Sequence, residues 1–136
     1  MRKYMLDTNI CIFLLKRKYP SVIHKFLSHE PEEMCISSIT YSELMYGVES
    51  SQSREKTLLA LMNFLARIDI LPFDKRAAEE SGRIRAELRK KGTPIGPLDT
   101  LIAGHAFAEN LTVITNNTRE FSRVENLCVE DWVQLS

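Results

Sequence analysis

The sequence has few cysteines and no long hydrophobic run, and each shortage excludes a class of protein. Cys11, Cys35 and Cys128 are scattered over 136 residues without a C-x-x-C pair. Neither a disulfide framework nor a structural zinc site is therefore indicated. The longest apolar run near the N-terminus, Ile10 to Leu15, is far shorter than the roughly 20 residues that span a bilayer. We expect a cytoplasmic protein that has no signal peptide and is not embedded in a membrane.

The chain also lacks an excess of either charge. Eighteen basic residues balance eighteen acidic ones, so no overall field draws the protein to nucleic acid, and any such contact must come from a local basic patch. The main basic concentration consists of Lys75, Arg76, Arg83, Arg85, Arg89, Lys90 and Lys91. A solvated helix face is the default interpretation of these residues, although phosphate contacts are compatible with their position. No residue is assigned to substrate binding on this basis.

Short β-compatible runs alternate with helical segments along the chain. With 44% hydrophobic and 26% charged residues, residues 1–136 have the profile of a single compact domain. Strands are predicted at Tyr4–Leu6, Met34–Ser37, Ile70–Phe73, Thr112–Thr115 and Leu127–Val129. The segments between them have the apolar spacing of amphipathic helices. This alternation predicts an α/β fold in which helices cover both faces of a central parallel sheet.

Capping signals predict where two of the helices begin. Thr40 and Glu43 match the T-x-x-E capping box, which predicts a helix from about Tyr41. Pro97 is well suited to the first turn of the next-to-last predicted helix, and Asp99 then lies near the N-terminus of that helix.

Acidic and amide side chains recur beside the predicted strand ends. Asp7 follows the first strand, Glu43 starts the helix after the second, and Asp99 starts the helix before the fourth. Asn117 and Glu120 follow that fourth strand. Because ligands of parallel α/β sheets bind beyond the carboxyl ends of the strands, we expect these side chains to meet at one edge. Carboxylates so close repel one another unless a cation lies between them.

The ligand types of this cluster indicate which cation it would bind. Oxygen ligands without cysteine or histidine favour Mg²⁺ or Mn²⁺ over zinc. Such a site suits phosphodiester hydrolysis, because a bound metal ion lowers the pKa of a water molecule and offsets charge on the phosphate. The sequence therefore predicts a metal-dependent nuclease.

Each acid also has a purely structural interpretation. Asp7 can simply cap the following helix, Glu43 can be the return half of the capping box, and Asp99 can be a favourable charge at a helix N-terminus. If all three are only caps, the protein is a non-catalytic module that binds RNA or a partner protein. The joint occurrence of acids at one sheet edge favours the metal site, because caps need not recur there.

Two other kinds of catalysis fit the sequence less well. A phosphatase with Asp7 as covalent nucleophile usually has a second acid two positions on, and here that residue is Asn9. Metal-free cleavage by imidazole needs histidines placed to share the work. His105 lies between Gly104 and Ala106 on a predicted helix, and we interpret it as a packed or capping side chain.

Four ordered segments of the chain resemble one protein family. They are Met5–Asn9, Ser37–Gly47, Pro94–Ala103 and Thr115–Phe121, and together they resemble the VapC toxins of bacterial VapBC systems, which are PIN-domain ribonucleases. The resemblance covers essentially the whole chain. It implies the PIN fold and Mg²⁺-dependent cleavage of RNA by an activated water, with Mn²⁺ as a substitute. Asp7 and Asp99 would be the main metal ligands, and Glu43 would complete an acidic triad.

The resemblance also implies supporting residues and partners. Thr8, Thr115 and Asn117 would support the site. Many PIN domains have a fourth acid where this chain has Asn117, so Glu120 is a candidate for the missing catalytic carboxylate. A homodimer is implied, together with a VapB antitoxin whose C-terminal tail occupies the acidic groove. The implied substrate is transfer RNA cut in the anticodon loop, with initiator transfer RNA as the first expectation.

Overall fold

The structure is a computed structural model that describes residues 1–134. Its elements in chain order are β1 (Tyr4–Leu6), α1 (Thr8–Leu15), α2 (Pro20–Ser28), β2 (Met34–Ser37), α3 (Ser38–Glu49), α4 (Arg54–Leu65), β3 (Asp69–Leu71), α5 (Lys75–Lys90), α6 (Pro97–Ala108), β4 (Thr112–Ile114), α7 (Thr118–Phe121) and β5 (Val129–Glu130). A short 3₁₀ turn, Pro31–Glu33, precedes β2. Among these residues, no helix is long and apolar enough to cross a membrane.

The strands form a parallel sheet with β1 at its centre. The strand order is β3-β2-β1-β4-β5, and every neighbouring pair is parallel. Met5 is in register with Cys35 of β2 on one side and with Val113 of β4 on the other. The predicted parallel sheet is thus confirmed. From β1 the chain builds the sheet first toward β3 and later toward β5, so the strand order reverses between β1 and β4.

Helices cover both faces of this sheet, as predicted. Successive side chains of a strand point to opposite faces, and Leu6 and Met5 accordingly belong to two different cores. Leu6 packs in a core that includes buried residues of α1 to α4, such as Phe64. Met5 packs with residues of α5, α6 and α7, such as Ile84 and Phe121. All of these side chains are less than a tenth exposed.

The two helices α5 and α6 approach each other closely at Gly104. A Cβ atom at this position would lie 2.5 Å from the backbone nitrogen of Ser81 and 2.6 Å from its Cα atom. Only a residue without a side chain therefore fits here. Because Asp99 lies in the first turn of α6, this contact also helps to fix where Asp99 stands relative to the sheet.

The predicted capping box at Thr40 and Glu43 is wrong. Helix α3 begins at Ser38, and the hydroxyl of Ser37 caps it by accepting a hydrogen bond of 3.0 Å from the backbone N–H of Ile39. Serine is as good an N-cap as threonine, and here it leads directly from β2 into the helix. Thr40 is buried in the first turn instead.

Two predicted strands are displaced along the chain. The third strand ends at Leu71 rather than Phe73, because the backbone N–H of Phe73 donates to the hydroxyl of Ser38, at 2.9 Å, and leaves the sheet. The last strand is Val129–Glu130 rather than Leu127–Val129. The observed strand ends directly before Asp131. The predicted strand ended at Val129, so Asp131 did not directly follow it.

Candidate active site

The candidate site lies where the strand order reverses, a position at which open α/β sheets bind their ligands. Asp7 directly follows β1 and Thr115 directly follows β4. The backbone N–H of Asp7 donates to the carbonyl of Ile114, at 3.0 Å. This bond joins the ends of the two strands, so that the residues after them face a common crevice.

Asp7 is both a helix cap and a buried acid. One of its oxygens accepts a hydrogen bond of 2.9 Å from the backbone N–H of Ile10 and caps α1. Its side chain is nevertheless 1% exposed. The pKa of Asp7 is raised to about 6, chiefly by burial and also by the charges of Asp99 and Asp131, against the opposing hydrogen bonds from Thr115 and Ile10. The carboxylate is therefore poised to gain from a nearby cation.

Asp99 and Glu120 are held on either side of Asn117. The side-chain amide of Asn117 donates to Asp99, at 3.1 Å. Burial raises the pKa of Asp99, the charge of Glu120 raises it as well, and the amide bond opposes both. The pKa of Glu120 is lowered, first by its hydrogen bond with Asn117 and then by the backbone N–H of Gly96. Asn117 thus holds together two acids that would otherwise repel.

The loop before α6 closes this side of the site. The backbone N–H of Gly96 donates to Glu120, at 2.9 Å. A Cβ atom on Gly96 would lie 3.8 Å from an oxygen of Asp99 and 4.0 Å from an oxygen of Glu120. Both carboxylates therefore lie against the loop at Gly96.

The predicted supporting threonines connect parts of the site. Thr115 is fully buried and its hydroxyl accepts from the backbone N–H of Asn117, at 2.9 Å, while its side chain also bonds to Asp7. Thr8 donates to the hydroxyl of Thr40, at 3.2 Å, and so ties α1 to α3. Thr115 therefore links the Asp7 and Asn117 parts of the crevice.

Glu43 lines a cavity that contains none of the other candidate acids. Its side chain lines a cavity between α1, α3 and α4 with Ile12, Leu15 and Lys16. It is one helical turn beyond Thr40, the residue that meets Thr8. In the part of the chain that the structure describes, no hydrogen bond joins Glu43 to Asp7 or Asp99.

Sequence reasoning missed Asp131. Its charge acts on Asp7, and its carboxylate accepts a hydrogen bond of 3.1 Å from the side chain of Asn116. The signal was present, because Asp131 directly follows a strand, as Asp7 does. That strand has only two residues, which is too short for a periodic pattern to define its end.

His105 is a packed side chain, as interpreted from the sequence. It is fully buried, its Nδ1 atom hydrogen-bonds the Ser37 hydroxyl at 2.8 Å, and the edge of its ring meets Phe73. Burial lowers the pKa of His105. It lies inside the contact between α6 and the start of α3 and not at the crevice.

The donor set fits a hard divalent cation with few protein ligands. Within residues 1–134, no three histidine, cysteine or acidic side chains are grouped closely enough to hold a metal ion by themselves. Asp7 and Asp99 interact electrostatically, and the side-chain amide of Asn117 contacts Asp99. Mg²⁺ usually keeps several water molecules and takes only one or two carboxylates. The crevice matches that requirement better than it matches a site closed by protein ligands.

Comparisons with known proteins place this geometry in a family. The PIN domain family matches residues 4–127. The tRNA(fMet)-specific endonuclease VapC of Shigella flexneri is 52% identical over 132 residues, which cover 97% of this chain and 99% of the relative. Ribonuclease VapC2 of Haemophilus influenzae is 44% identical over 133 residues, 98% of this chain and 100% of the relative.

A solved structure agrees over the same length. The crystal structure of DNA-bound VapBC from Salmonella typhimurium contains a chain that is 48% identical to this one, with a TM-score of 0.92. The match covers 97% of this chain and 99% of that chain. The fold and the relatives confirm the resemblance seen in the four sequence segments. The chain belongs to the PIN-domain family and, within it, to the VapC ribonucleases.

Proposed function

We propose that the protein is the toxin of a type II toxin–antitoxin pair and that it cuts transfer RNA, which inhibits translation. The observation that carries this proposal is the buried carboxylate of Asp7, whose pKa is raised to about 6 beside Asp99 at the crevice of the sheet. Initiator transfer RNA is the proposed substrate, since the Shigella relative is named for tRNA(fMet). The anticodon loop is the proposed place of cleavage.

Asp7 and Asp99 are the proposed ligands of Mg²⁺, and Mn²⁺ is the proposed substitute. The bound ion would supply a water molecule of lowered pKa and would offset negative charge on the scissile phosphate. Asn117 orients Asp99 through its amide, and Thr115 orients Asp7. Each acid is thereby held in one rotamer before substrate arrives.

Glu120 and Glu43 complete the proposed catalytic set. Glu120 stays ionised because Asn117 and Gly96 hydrogen-bond its carboxylate, and it is placed to accept a hydrogen bond from water beside Asp99. Glu43 is the proposed acid on the α3 side, which the contact of Thr8 with Thr40 ties to α1.

The proposed partner is an antitoxin of the VapB type. The similar structures from Salmonella typhimurium and Rickettsia felis are described as VapBC bound to DNA. We propose that this chain, a single PIN domain over residues 1–136, forms a homodimer and that the antitoxin tail enters the crevice. A tail cation close to Asp7 would stabilise that carboxylate as the metal ion does.

Cleavage of purified transfer RNA tests the function. We expect the protein with Mg²⁺ to cut initiator transfer RNA once and to leave elongator methionine transfer RNA intact, as seen by mapping the new ends. EDTA is expected to stop the reaction, and an Asp99→Asn variant is expected to lose it, because each removes part of the metal site.

Two outcomes would replace this function with an alternative. Tight binding of RNA without cleavage in Mg²⁺ or Mn²⁺ would indicate a binding module. A trapped phosphate ester on Asp7 would indicate a phosphatase.

An Asn117→Asp variant tests how the acids are held together. The change replaces an amide that donates to Asp99, at 3.1 Å, with a carboxylate that repels Asp99 and Glu120. We expect a lower melting temperature in EDTA and a larger rise with Mn²⁺ than in the unaltered protein, because a cation then relieves more repulsion. Calorimetry at a series of Mn²⁺ concentrations measures both effects.

Asn63→Asp is the matched control, since Asn63 is exposed on α4 and its change to aspartate adds the same charge away from Asp99 and Glu120. Equal responses of the two variants to Mn²⁺ would contradict the assigned position of Asn117.

A further inference from the structure

A groove beside the candidate site is lined by two arginines. It lies between α5 and the start of α6, has a volume of about 700 Å³, and is lined by Arg85, Arg89, Pro94, Ile95, Thr100 and Leu101 among others. Residues four apart on a helix lie on the same side, with Cβ atoms about 5–6 Å apart. Arg85 and Arg89 therefore present their guanidinium groups side by side along one wall. We call this cavity the arginine groove.

The contacts of the basic residues distinguish these two arginines from their neighbours. Arg83 pairs with Glu80 and Glu87. Lys91 pairs with Glu125. The guanidinium group of Arg76 donates to the carbonyl of Ala108, at 2.6 Å.

Arg85 and Arg89, in contrast, have no ion-pair partner among residues 1–134. Both are exposed. Their positive charges are therefore available to a ligand, whereas much of the basic concentration of α5 already serves the fold.

The remaining lining of the groove indicates an anionic ligand. The hydroxyl of Ser81 donates to the carbonyl of Ala77, at 2.8 Å, and that of Thr100 donates to Gly96, at 2.9 Å. These hydroxyl protons are already used within the helices. The other lining residues are mostly apolar, including Leu88, Ile95 and Leu101. Arginine binds phosphate through two parallel N–H groups, and an apolar wall strengthens such bonds by excluding water.

The arginine groove opens toward the acidic crevice. Pro94 and Ile95 line it on one side and also line a second cavity that contains Asn117 and Glu120. Arg123 donates to the carbonyl of Pro94, at 2.8 Å, and fixes the ridge between the two cavities. A polyanionic strand that passes over this ridge would run from the arginines to Asp99.

We propose that Arg85 and Arg89 bind backbone phosphates of the RNA strand whose scissile bond lies at Asp7 and Asp99. This inference rests on the proposed function and adds to it the surface that binds the substrate. The arginines contact phosphates and not bases, so they contribute affinity and position rather than choice of sequence. Their bonds form before and persist through the reaction, and their removal affects KM more than kcat.

Variants of the two arginines test the proposal in the full-length protein. Arg85→Gln and Arg89→Gln are each expected to weaken binding of initiator transfer RNA about tenfold and to lower the slope of log K against log salt by about one. We expect KM of cleavage to rise by a similar factor and kcat to change less than about twofold. Binding is measured in EDTA, so that the strand is not cut.

Lys90→Gln is the matched control. Lys90 is exposed and adjacent to Arg89 but is not among the residues that line the groove. The Lys90→Gln change removes the same charge as Arg89→Gln, and we expect less than about a twofold change in the binding of initiator transfer RNA. Equal effects of Arg89→Gln and Lys90→Gln would overturn the proposal. They would show that the overall positive charge of this surface attracts the RNA, without a specific contact from Arg89.

Three further results separate this proposal from the proposed function. If the unaltered protein cuts transfer RNA and both arginine variants have normal KM and salt slope, the groove proposal fails and the nuclease function stands. Loss of dimerisation or of antitoxin binding in those variants, with normal RNA binding, would identify the groove as a protein interface and would also overturn the proposal. If the protein binds RNA through the arginines and cuts none, the proposed function fails alone.

Discussion

An Asp7→Asn variant is expected to lose RNA cleavage by on the order of a thousandfold or more, while it melts at a higher temperature than the unaltered protein in EDTA. The loss follows from removal of a proposed metal ligand. The rise in melting temperature follows from burial, the main cause that raises the pKa of Asp7 to about 6. At neutral pH the ionised carboxylate therefore lowers the free energy of unfolding of the metal-free protein by about 3 kcal/mol. Asparagine keeps the cap of α1, because its carbonyl also accepts from the N–H of Ile10.

The pH dependence of this difference has a definite sign. The folded state holds the Asp7 proton more tightly than the unfolded chain, in which the pKa is 3.8. The contribution of Asp7 to stability therefore falls as pH rises from about 4 to about 6 and is constant above that range. We expect the melting temperatures of the two proteins in EDTA to converge below about pH 4 and to separate by pH 7.

Asp74→Asn provides the matched control for this experiment. Asp74 caps α5 in the same way, accepting from the backbone N–H of Ala77 at 2.9 Å, but it is exposed. The control is expected to retain activity and to show no gain in melting temperature. Mg²⁺ is expected to raise the melting temperature of the unaltered protein and not that of Asp7→Asn. Normal cleavage by Asp7→Asn, or no stabilisation in EDTA, would contradict the assigned role of this carboxylate.

Gly104→Ala is expected to be the most destabilising of the glycine-to-alanine changes in this chain. The new Cβ atom would lie 2.5 Å from the nitrogen and 2.6 Å from the Cα atom of Ser81. Both are backbone atoms of α5 and cannot rotate away, so α5 and α6 must separate. We expect a loss of about 3 kcal/mol in the free energy of unfolding, measured by urea denaturation. RNA cleavage is expected to fall as well, because α6 carries Asp99.

Gly82→Ala tests the same substitution on the same pair of helices. Gly82 follows Ser81 in α5, and a Cβ atom there would meet no atom within 4 Å. Alanine favours a helix over glycine by up to about 1 kcal/mol, so this control is expected to be neutral or slightly stabilising. Similar losses in both variants would show that helix packing at Gly104 is looser than the structure indicates.

Local sequence signals predicted the elements in which the apolar pattern, the terminal residues and the final burial all favour the same structure. The runs Tyr4–Leu6 and Met34–Ser37 are strands with the predicted bounds, because their apolar residues are buried in a parallel sheet. Pro97 starts α6 as expected. The start of α3 was mispredicted because Ser37 and Thr40 are both good caps. Only the path of the chain out of β2 decides between them.

The site was predictable as far as the ends of parallel strands define it. That reasoning brought together Asp7, Asp99, Asn117 and Glu120. It did not predict that Glu43 lines a separate cavity between α1, α3 and α4, because that position depends on the course of α3. Helical spacing does separate Arg83 from Arg85, because Glu80 and Glu87 lie three and four residues from Arg83 and pair with it. Arg85 has no acid at those spacings.

The loop before α6 has a thermodynamic consequence for substrate binding. It is pinned at two points, by Glu120 on the N–H of Gly96 and by Arg123 on the carbonyl of Pro94. Fixing a flexible residue costs about 1–2 kcal/mol in conformational entropy, and this loop has lost that freedom before any RNA arrives. The ridge between the two cavities is thus preorganised. Complex formation therefore spends little interaction energy on ordering the enzyme, which leaves more of that energy to hold the RNA.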